Sequence, residues 1–582
     1  MRYLALAADY DGTLAHDGDV SDATIRALGR LRATGRKLLL VTGRELDQLI
    51  SIFPEIAIFD LVVAENGGVL FDPQTRTVEL LTEPPSERLV ETLRARQVTP
   101  LAVGRTIIAT WTPNEVAVLG AIRDLGLELH VIFNKGAVMV LPPGVTKASG
   151  LGAALERLRL SPHNLVAVGD AENDHSMLRF AECGAAVANA VPMLKSDADL
   201  VLGGDHGDGV VELVDALADR DLAANSAATW RRTILLGNRT NGEEVRIPPA
   251  GTSLLVAGSS ASGKSTLARG MLERLAAQGY QFCVIDPEGD YESLPGAIHL
   301  GGPDRAPAAD EILTALEKPT INVVVSLVGL ELHDRPPFFA ALLPGLQELR
   351  VHTGRPHWIL VDETHHLLPV DWQPAPTTLT RKLSGMMYVT VHPGSVSPAV
   401  LATVRVVAAL GEDPAGALRQ FAEASHRPAP VATGEAPERG EALLWFLESS
   451  TAPFTLRIAP AESDRTRHRR KYAEGALPPD RSFYFRGPAE RLNLRAQNLV
   501  LFSQIADGVD DETWLHHLRR GDYSSWMREA IKDGELADEV HAIEAETTRS
   551  AAKARRAAES AAESRRRVRA AIEERYTLPA TG

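Results

Sequence analysis

A glycine-rich stretch in the middle of the chain constrains the fold most strongly. Residues 258–266 read Gly-Ser-Ser-Ala-Ser-Gly-Lys-Ser-Thr, which fits the pattern of a loop whose backbone N–H groups surround nucleotide phosphates. The apolar run before it predicts a buried strand, and the apolar spacing after it predicts a helix. In this setting Lys264 would reach the β- and γ-phosphates and Ser265 would ligate Mg²⁺. The predicted nucleotide-binding residues of this loop are Gly258, Gly263, Lys264, Ser265 and Thr266.

The length and composition of the chain set broader limits. A chain of 582 residues exceeds what one hydrophobic core usually organises, so roughly two to four domains are expected. No apolar run approaches the ~20 residues that span a bilayer, and the N-terminus does not resemble a signal peptide. Cys183 and Cys283 lie far apart in apolar surroundings and are expected in the core. We therefore expect a cytoplasmic protein that does not contact a membrane.

Polar side chains follow several predicted strands in the N-terminal third. Because the carboxyl ends of strands in an open α/β sheet form the ligand crevice, we expect these groups to share one site. The groups are Asp9 and Asp11 after residues 4–8, Thr42 after residues 37–41, Asp170 and Asp174 after residues 164–168, and Lys147 at the start of a helix over 147–158.

These segments, in this order, resemble phosphatases of the haloacid dehalogenase superfamily. The stretch Asp-Tyr-Asp-Gly-Thr-Leu at 9–14 carries the resemblance, and Gly-Asp-Ala-Glu-Asn-Asp-His-Ser-Met at 169–177 narrows it to the Cof-like and sucrose-phosphatase-like branch. The resemblance covers residues 1–218 and implies a Rossmann-like parallel sheet. A small α+β cap is expected at about 80–143, and this cap should decide which substrate enters.

The residue types in this region predict a Mg²⁺-dependent phosphomonoester hydrolase. Asp9 would attack phosphorus and form an aspartyl-phosphate, while Asp11 would protonate the leaving oxygen and later activate water. Lys147 and Thr42 would hold the phosphate oxygens. The predicted metal site comprises Asp9, Asp11 through its backbone carbonyl, Asp170 and Asp174. The expected substrate is a small phosphorylated molecule such as a sugar phosphate, and a short cap would also admit a larger one.

A second acidic pair follows the apolar run at 358–361. Asp362 is suited to holding Mg²⁺, and Glu363 is suited to polarising a water, which favours hydrolysis of ATP over transfer to another substrate. With the glycine-rich loop and Asp-Pro-Glu-Gly-Asp-Tyr at 286–291, this stretch resembles the HerA/FtsK-like P-loop ATPases over residues 230–460. That resemblance implies a ring-forming homo-oligomer that acts on DNA.

Other residues of this region have less certain roles by sequence. The sensor position of the HerA/FtsK-like group, often Gln, differs here, with Thr390 or His392 as substitutes, and Arg381 and Arg405 are equal candidates for an arginine finger. His365 and His366 follow the acids. Because adjacent helical side chains point apart, they are expected to cap the helix or face solvent rather than bind a metal.

The C-terminal part carries weaker signals. Five cations lie within 465–471 and could bind nucleic acid or form a solvated linker. Residues 461–544 predict a helical domain of unknown function, and residues 545–582 predict a charged tail with an exposed helix. The whole chain is therefore expected to be a multidomain α/β protein with a mainly helical C-terminal region.

Four functions remain open from the sequence. The first is a bifunctional enzyme in which a phosphatase is fused to an ATP-hydrolysing module. The second is a DNA motor whose phosphatase trims phosphorylated ends, although the first 460 residues carry a net charge of −16. The third pairs a kinase with the phosphatase, and the fourth uses ATP only as a switch for assembly. Retention of Asp9, Asp11, Lys264 and Glu363 favours active enzymes.

Overall fold

The computed structural model divides into two compact units, Met1–Ala459 and Pro460–Gly582. The residues that it describes are 1–223, 232–259, 262–372, 384–430, 437–438, 440–449, 451–461, 477, 482–488, 490–531, 533–551 and 557–576. Among these residues no helix is both long enough and apolar enough to cross a bilayer. The first unit contains two large sheets, each packed in its own buried core.

The N-terminal region folds from three consecutive segments. The first contains β1 (Ala5–Asp9), β2 (Ala15–His16), β3 (Asp19–Val20), α1 (Asp22–Ala33), β4 (Lys37–Val41), α2 (Leu46–Ile52), β5 (Leu61–Ala64), β6 (Val69–Asp72) and β7 (Thr77–Leu80). The second contains α3 (Glu87–Ala95), β8 (Ala102–Val103), β9 (Ile108–Trp111), α4 (Glu115–Asp124), β10 (His130–Asn134) and β11 (Ala137–Leu141). The third contains α5 (Lys147–Arg157), β12 (Leu165–Gly169), α6 (His175–Phe180), β13 (Cys183–Ala186), α7 (Pro192–Asp197), β14 (Leu200–Val201) and α8 (His206–Arg220).

The first and third segments build one eight-stranded sheet in the order β14-β13-β12-β1-β4-β5-β6-β7. Strand β1 is buried along its whole length and pairs in parallel with both β4 and β12. Such continuous apolar runs are typical of parallel strands that are covered on both faces. The carboxyl ends of β1, β4 and β12 therefore meet at one edge of the sheet. This arrangement confirms the α/β fold that the sequence predicts for the N-terminal region.

The second segment forms a separate small layer, which we call the cap. Its four strands form an antiparallel sheet in the order β10-β11-β9-β8. Helices α3 and α4 pack on this sheet through a buried apolar cluster that includes Leu89, Leu93 and Val118. The side chain of Glu65, which follows β5, accepts hydrogen bonds from the backbone N–H groups of Arg105 at 3.1 Å and Thr106 at 2.7 Å. These bonds attach the cap to the edge of the large sheet.

The middle region builds an eleven-stranded sheet. Its elements are β15 (Ile234–Arg239), β16 (Glu244–Ile247), β17 (Ser253–Gly258), α9 (Lys264–Ala277), β18 (Phe282–Asp286), β19 (Ala297–Leu300), α10 (Ala309–Leu316), β20 (Asn322–Ser326), α11 (Arg335–Thr353), β21 (Trp358–Val361), α12 (Thr364–Leu367), β22 (Met386–Thr390), α13 (Pro398–Leu401), β23 (Val406–Leu410), α14 (Pro414–Ala424), β24 (Glu441–Phe446) and β25 (Phe454–Ile458). The strand order is β16-β15-β25-β24-β23-β17-β22-β21-β18-β20-β19, and the strands from β23 to β19 in this order are mutually parallel.

A buried polar contact joins the two regions of the first unit. The Tyr280 ring stacks on the His163 ring with 3.7 Å between ring centroids, and its hydroxyl donates to the Glu182 carboxylate at 3.0 Å. Nearby, the Arg355 guanidinium donates to the backbone carbonyl of Arg159 at 2.6 Å. These side chains, apart from Arg159, are buried or nearly so. We call this group of contacts the joint.

The second unit is mainly helical. It contains β26 (Phe483–Phe485), β27 (Leu494–Ala496), α15 (Leu499–Gly508), α16 (Asp511–Arg520), α17 (Asp522–Trp526), a π-helical turn (Met527–Ile531), α18 (Gly534–Ala551) and α19 (Ala557–Tyr576). Helix α18 runs across residue 545, where the sequence placed the boundary between a domain and a tail.

The prediction that the C-terminal helix is exposed is wrong. Helix α19 buries Ala561, Val568 and Ile572 in the same core as Trp514, whose indole N–H donates to the Ser564 hydroxyl at 2.9 Å. The buried stripe was missed because two of its positions are filled by Ala and Ser, which carry little hydrophobic signal. The basic cluster at 465–471 and Arg381 lie outside the described residues.

Candidate active site

The N-terminal site begins where β1 ends. Asp9 is the last residue of the strand and is buried, whereas the Asp11 side chain remains 45% exposed. Gly12 follows with φ of 83°, a left-handed conformation that lets the chain turn away from the sheet. The backbone N–H groups of Leu14 and Ala15 then return to the carbonyl of Tyr10. The Asp9 carboxylate is thus fixed inside the protein, whereas the Asp11 carboxylate is partly exposed to solvent.

Lys147 connects two of the predicted acids. Its ammonium lies 2.5 Å from Asp9 Oδ1 and 2.6 Å from Asp174 Oδ1, and its side chain is 1% exposed. Helix α5 starts at this residue because the Thr146 side chain caps its first turn. Burial alone would lower the pKa of Lys147, but the carboxylates of Asp174 and Asp9 raise it above the ordinary value. Lys147 is therefore a charged ammonium in the buried site.

Three buried carboxylates converge beside this lysine. Oxygens of Asp9, Asp170 and Asp174 all lie within 4.8 Å of one another. Asp174 is held in place because its Oδ2 accepts hydrogen bonds at 2.9 Å from the N–H groups of Asp170 and Ala171. Burial raises the pKa of Asp9 well above its ordinary value, and the neighbouring Asp174 carboxylate raises it further. Burial also raises the pKa of Asp170.

This cluster is chemically suited to a divalent cation. Mg²⁺ prefers carboxylate oxygens, and the mutual repulsion of buried acids is relieved when a cation binds among them. Lys147 neutralises only part of the charge of the three acids. Asp9, Asp170 and Asp174 would hold the ion, and the sequence also predicts a contribution from the Asp11 backbone carbonyl. The Asp11 carboxylate itself is engaged elsewhere.

Arg44 orients Asp11, a role that the sequence did not reveal. The Arg44 guanidinium forms two hydrogen bonds with the Asp11 carboxylate, at 2.7 Å from Nε and 2.6 Å from a terminal nitrogen. Such paired bonds fix the plane of a carboxylate. Arg44 lies two residues after Thr42, which is buried and accepts a hydrogen bond from the Arg44 N–H at 3.1 Å. Its position directly after a strand end was the only available signal.

The cap contributes a second residue that the sequence did not reveal. Lys135 lies in the turn between β10 and β11, and its ammonium bonds to Asp170 Oδ2. The other oxygen of this carboxylate accepts from the Thr13 hydroxyl at 3.0 Å. A turn signal was visible in the sequence at Lys135-Gly136, but contact with a residue 35 positions later depends on how the cap closes.

The middle region places its glycine-rich loop between β17 and α9. Gly258 ends the strand with φ of 154°, and Gly263 precedes the helix with φ of 98°. Ser260 and Ala261 lie outside the described residues. Lys264 is buried, and its ammonium donates to the backbone carbonyl of Ser259 at 2.9 Å.

Acidic groups surround this lysine without forming an ion pair of hydrogen-bonding length among the described residues. Ser265 donates to Asp290 at 3.3 Å, and Thr266 lies in the first turn of α9. Burial raises the pKa of Asp362 well above its ordinary value and also raises the pKa of Glu363. Burial lowers the pKa of Lys264, although these carboxylates act in the opposite direction. The site thus contains a buried cation and nearby acids beside the glycine-rich loop.

The histidine pair departs from the prediction that its side chains point apart. The rings of His365 and His366 have centroids 4.0 Å apart, and both lie near Glu363. His365 Nδ1 is 3.1 Å from the hydroxyl of Thr390, a predicted sensor residue at the end of β22. This bond to the neighbouring strand turns the His365 ring inward from a helix of only four residues. Burial and the adjacent His366 lower the pKa of His365 to about 4.

Known proteins resemble the N-terminal region. A family model of haloacid dehalogenase-like hydrolases matches residues 6–109 and 125–214. The phosphoglycolate phosphatase of Methanothermobacter thermautotrophicus is 31% identical over 217 residues, covering 36% of this chain and 96% of that protein. The phosphoglycolate phosphatase of Methanopyrus kandleri is 31% identical over 222 residues, covering 36% and 95%.

Solved structures are also similar to part of the chain. A haloacid dehalogenase-like hydrolase from Bacteroides thetaiotaomicron is 20% identical with a TM-score of 0.33, covering 37% of this chain and 99% of that one. With the family model, the curated relatives and the arrangement of the acids around Lys147, the chain belongs, over residues 6–214, to the haloacid dehalogenase-like hydrolases.

Proposed function

We propose that the N-terminal region hydrolyses small phosphomonoesters in a Mg²⁺-dependent reaction through a phosphorylated Asp9. The observation that carries this proposal is the buried lysine between two acids. Lys147 contacts Asp9 and Asp174, so a phosphoryl group that reaches Asp9 meets a fixed ammonium. Phosphomonoester anions repel nucleophiles, and such a site supplies both the nucleophile and the compensating charge.

The reaction has two steps that share the same residues. In the first, an Asp9 oxygen bonds to phosphorus, the bond from phosphorus to the alcohol oxygen breaks, and Asp11 gives its proton to that oxygen. In the second, Asp11 takes a proton from water as the water oxygen bonds to phosphorus and the bond from phosphorus to the Asp9 oxygen breaks, which releases phosphate and restores the Asp9 carboxylate. Arg44 orients the ionised Asp11 carboxylate, the form that acts as the base in the second step.

The remaining groups stabilise charge. Lys147 and Thr42 would hold phosphate oxygens as negative charge moves onto them. Bound Mg²⁺, held by Asp9, Asp170, Asp174 and the Asp11 backbone carbonyl, would supply further neutralisation of the acids and the phosphate. Burial of Asp9 strips water from its carboxylate, which favours attack on phosphorus once the repulsion is offset.

The first substrate to test is 2-phosphoglycolate. The curated relatives are named phosphoglycolate phosphatases, and their similarity spans nearly their whole length. Phosphate release from 2-phosphoglycolate, several sugar phosphates and 3′-phosphorylated oligonucleotides is measured with Mg²⁺ for the parent and for Asp9→Asn. We expect rapid release from a small substrate and a loss of at least about a thousandfold in Asp9→Asn. Release that is equal in the two proteins would reject the proposal.

We further propose that the middle region binds and hydrolyses ATP. The arrangement that supports this is a strand, a glycine-rich loop and a helix that starts at the buried Lys264, with Asp362 and Glu363 at the end of β21. Gly258, Gly263, Ser265 and Thr266 would complete the phosphate and Mg²⁺ contacts. Together with the first proposal this makes the chain a bifunctional hydrolase, the first of the readings drawn from the sequence.

Different assays distinguish the competing functions of the middle region. ATP hydrolysis lost in Lys264→Ala and in Glu363→Gln supports the ATPase. Transfer of the terminal phosphoryl group from ATP to a dephosphorylated product would instead support a kinase. A salt-sensitive stimulation by DNA would support the motor, which stays a prediction because its basic cluster lies outside the described residues. Homo-oligomer formation and a location in the cytoplasm also stay predictions.

A further inference from the structure

Lys135 is held in a defined place above the acids of the N-terminal site. Strands β10 and β11 pair without interruption from His130 with Leu141 to Asn134 with Ala137, so Lys135 and Gly136 form a two-residue turn. Their φ values are 47° and 89°, the left-handed pair that matches the twist of a tight hairpin. The backbone that carries the Lys135 side chain is therefore fixed by the hairpin.

The cap contacts the large sheet near the same acids. Glu65 accepts hydrogen bonds from the N–H groups of Arg105 and Thr106 and from the Thr106 hydroxyl. Met139 on β11 is buried in a small apolar cluster, and its sulfur lies against Gly43, next to Thr42. These contacts bring the hairpin tip over the carboxyl ends of the strands. Lys135 reaches Asp170 from this side, whereas Lys147 approaches the acids from α5.

The bond to Asp170 uses only part of the hydrogen-bonding capacity of the Lys135 ammonium. The Lys135 side chain is 47% exposed, unlike that of Lys147, which is 1% exposed. Its ammonium has three donor hydrogens, and Asp170 also belongs to the set of acids that would share their charge with Mg²⁺. When that charge is shared, the attraction between Asp170 and Lys135 weakens, and a second anion at the cap side gains a partner.

We propose that Lys135 recognises a second anionic group of the substrate, so that the site prefers phosphomonoesters whose alcohol portion also carries a carboxylate or another phosphate. This inference rests on the proposed phosphatase function. It assigns Lys135 to substrate selection and leaves the bond-breaking steps to Asp9 and Asp11. A merely structural role, in which Lys135 only ties the cap to the sheet, would affect every substrate equally.

The test compares Lys135→Gln with a matched cap variant. Arg105 also joins the cap to the large sheet, through an ion pair with Asp47 at 3.1 Å, but contacts none of the three acids. Arg105→Gln therefore loosens the cap without removing the cation above Asp170. Both variants and the parent are assayed with Mg²⁺ on 2-phosphoglycolate, on 1,3-propanediol bisphosphate and on glycerol 1-phosphate, whose alcohol portion is neutral.

We expect Lys135→Gln to raise KM for the substrates with a second anion by about tenfold to a hundredfold, the effect of losing one charge-assisted hydrogen bond. Any effect of Lys135→Gln that acts through Asp170 should be shared by all three substrates, so the rise in KM should exceed that for glycerol 1-phosphate, and all constants of Arg105→Gln should change by less than about threefold. A large effect on only one of the two anions identifies whether carboxylate or phosphate is recognised.

Binding without turnover gives a second readout. In the Asp9→Asn background, calorimetry should show that Lys135→Gln weakens binding of 2-phosphoglycolate by a similar factor. Equal losses for neutral and anionic substrates, or no loss for either, would overturn the role of Lys135 while Asp9-dependent phosphate release still supports the phosphatase. Absence of Asp9-dependent release from every substrate in the parent would overturn both.

Discussion

Two buried lysines of the first unit, Lys147 and Lys264, lie in opposite environments. Lys147 contacts two carboxylates at 2.5 and 2.6 Å, whereas Lys264 donates to a backbone carbonyl at 2.9 Å. Each starts a helix: Lys147 lies against Asp9 at the end of β1, and Lys264 follows the loop after β17. The pKa of Lys147 is raised because the acids outweigh burial, and the pKa of Lys264 is lowered because burial outweighs more distant acids.

This difference shows how a buried cation can serve two kinds of phosphate chemistry. In the N-terminal site the charges are already paired, so the nucleophile and its counter-ion are positioned before substrate arrives. In the middle site the cation and the acids are close without direct pairing, and a nucleotide with Mg²⁺ would complete their interactions. The pairing of Lys147 with its acids is expected to be present without a ligand, and the middle site is expected to gain stability from its ligand.

The largest expected effect separates the two chemistries. Glu363→Gln should lower kcat for ATP hydrolysis by about 10²–10⁴-fold while ATP binding is retained, because only the water-polarising carboxylate is lost. Asp11→Asn should lower phosphatase kcat by about the same factor. Each variant serves as the control for the other, and each should leave the second reaction within about threefold. If Asp11→Asn abolished ATP hydrolysis, the two sites would not be independent.

A comparison of the two lysines themselves should show a large difference in stability. Lys147→Met leaves two buried acids without their cation, so we expect a loss of about 3–5 kcal/mol in the free energy of unfolding at neutral pH without Mg²⁺. Lys264→Met loses one hydrogen bond to a carbonyl and should change that free energy by about 1 kcal/mol or less. Denaturant titration of both variants measures the difference. Equal losses would contradict the opposite environments of the two lysines.

Asp9→Asn should stabilise the protein when Mg²⁺ is removed by a chelator. The pKa of Asp9 is raised in the folded state, so ionisation costs the folded state more than the unfolded state. The advantage of the variant should therefore be absent below about pH 4 and should grow as pH rises through the folded-state pKa.

Thermal unfolding checks this prediction. A gain of about 1 kcal/mol corresponds to a Tm increase of about 2–4 °C for a domain of this size. Excess Mg²⁺ should shrink or reverse the gain, because the parent retains the complete set of ligands. A parent that is more stable than Asp9→Asn at neutral pH in chelator would show that the pair with Lys147 outweighs the burial of Asp9.

The last prediction concerns the joint between the two regions. Tyr280→Phe removes the hydroxyl that donates to the buried Glu182 carboxylate, while Arg2 and His163 still contact that carboxylate. We expect a loss of about 1–2 kcal/mol. Phosphatase and ATPase signals should then be lost together on heating, at a lower temperature than in the parent. Two separate transitions, with only one of them shifted, would show that the regions unfold independently.

The sequence predicts the parts of these sites that depend on local pattern. Asp9, Lys147, Asp170 and Asp174 lie at strand ends or a helix start, and parallel pairing of the strands brings them together. The contact of Arg44 with Asp11 was not predicted, because the direction of a long side chain is not encoded in the strand pattern. The same strand-end pattern accounts for the positions of Asp362 and Glu363.

The sequence could not predict features that depend on how the cap closes over the sheet or on packing through small residues. The contact of Lys135 with Asp170 requires the cap to lie over the sheet, and no local pattern specifies that approach. Helix α19 packs through Ala561 and Ser564 beside Val568, so its buried face has little hydrophobic contrast. The inward turn of His365 depends on Thr390 from a neighbouring strand.

The most direct test of the account is the detection of a phosphoryl group on Asp9. Asp11→Asn is mixed with 2-phosphoglycolate and Mg²⁺, quenched in acid and digested for mass spectrometry, because loss of the base should slow hydrolysis of the intermediate more than its formation. The account predicts one phosphoryl group on the peptide that contains Asp9, and none in Asp9→Asn. Phosphate release by the parent with Asp9 unmodified in every trapping experiment, or modification of another residue, would contradict it.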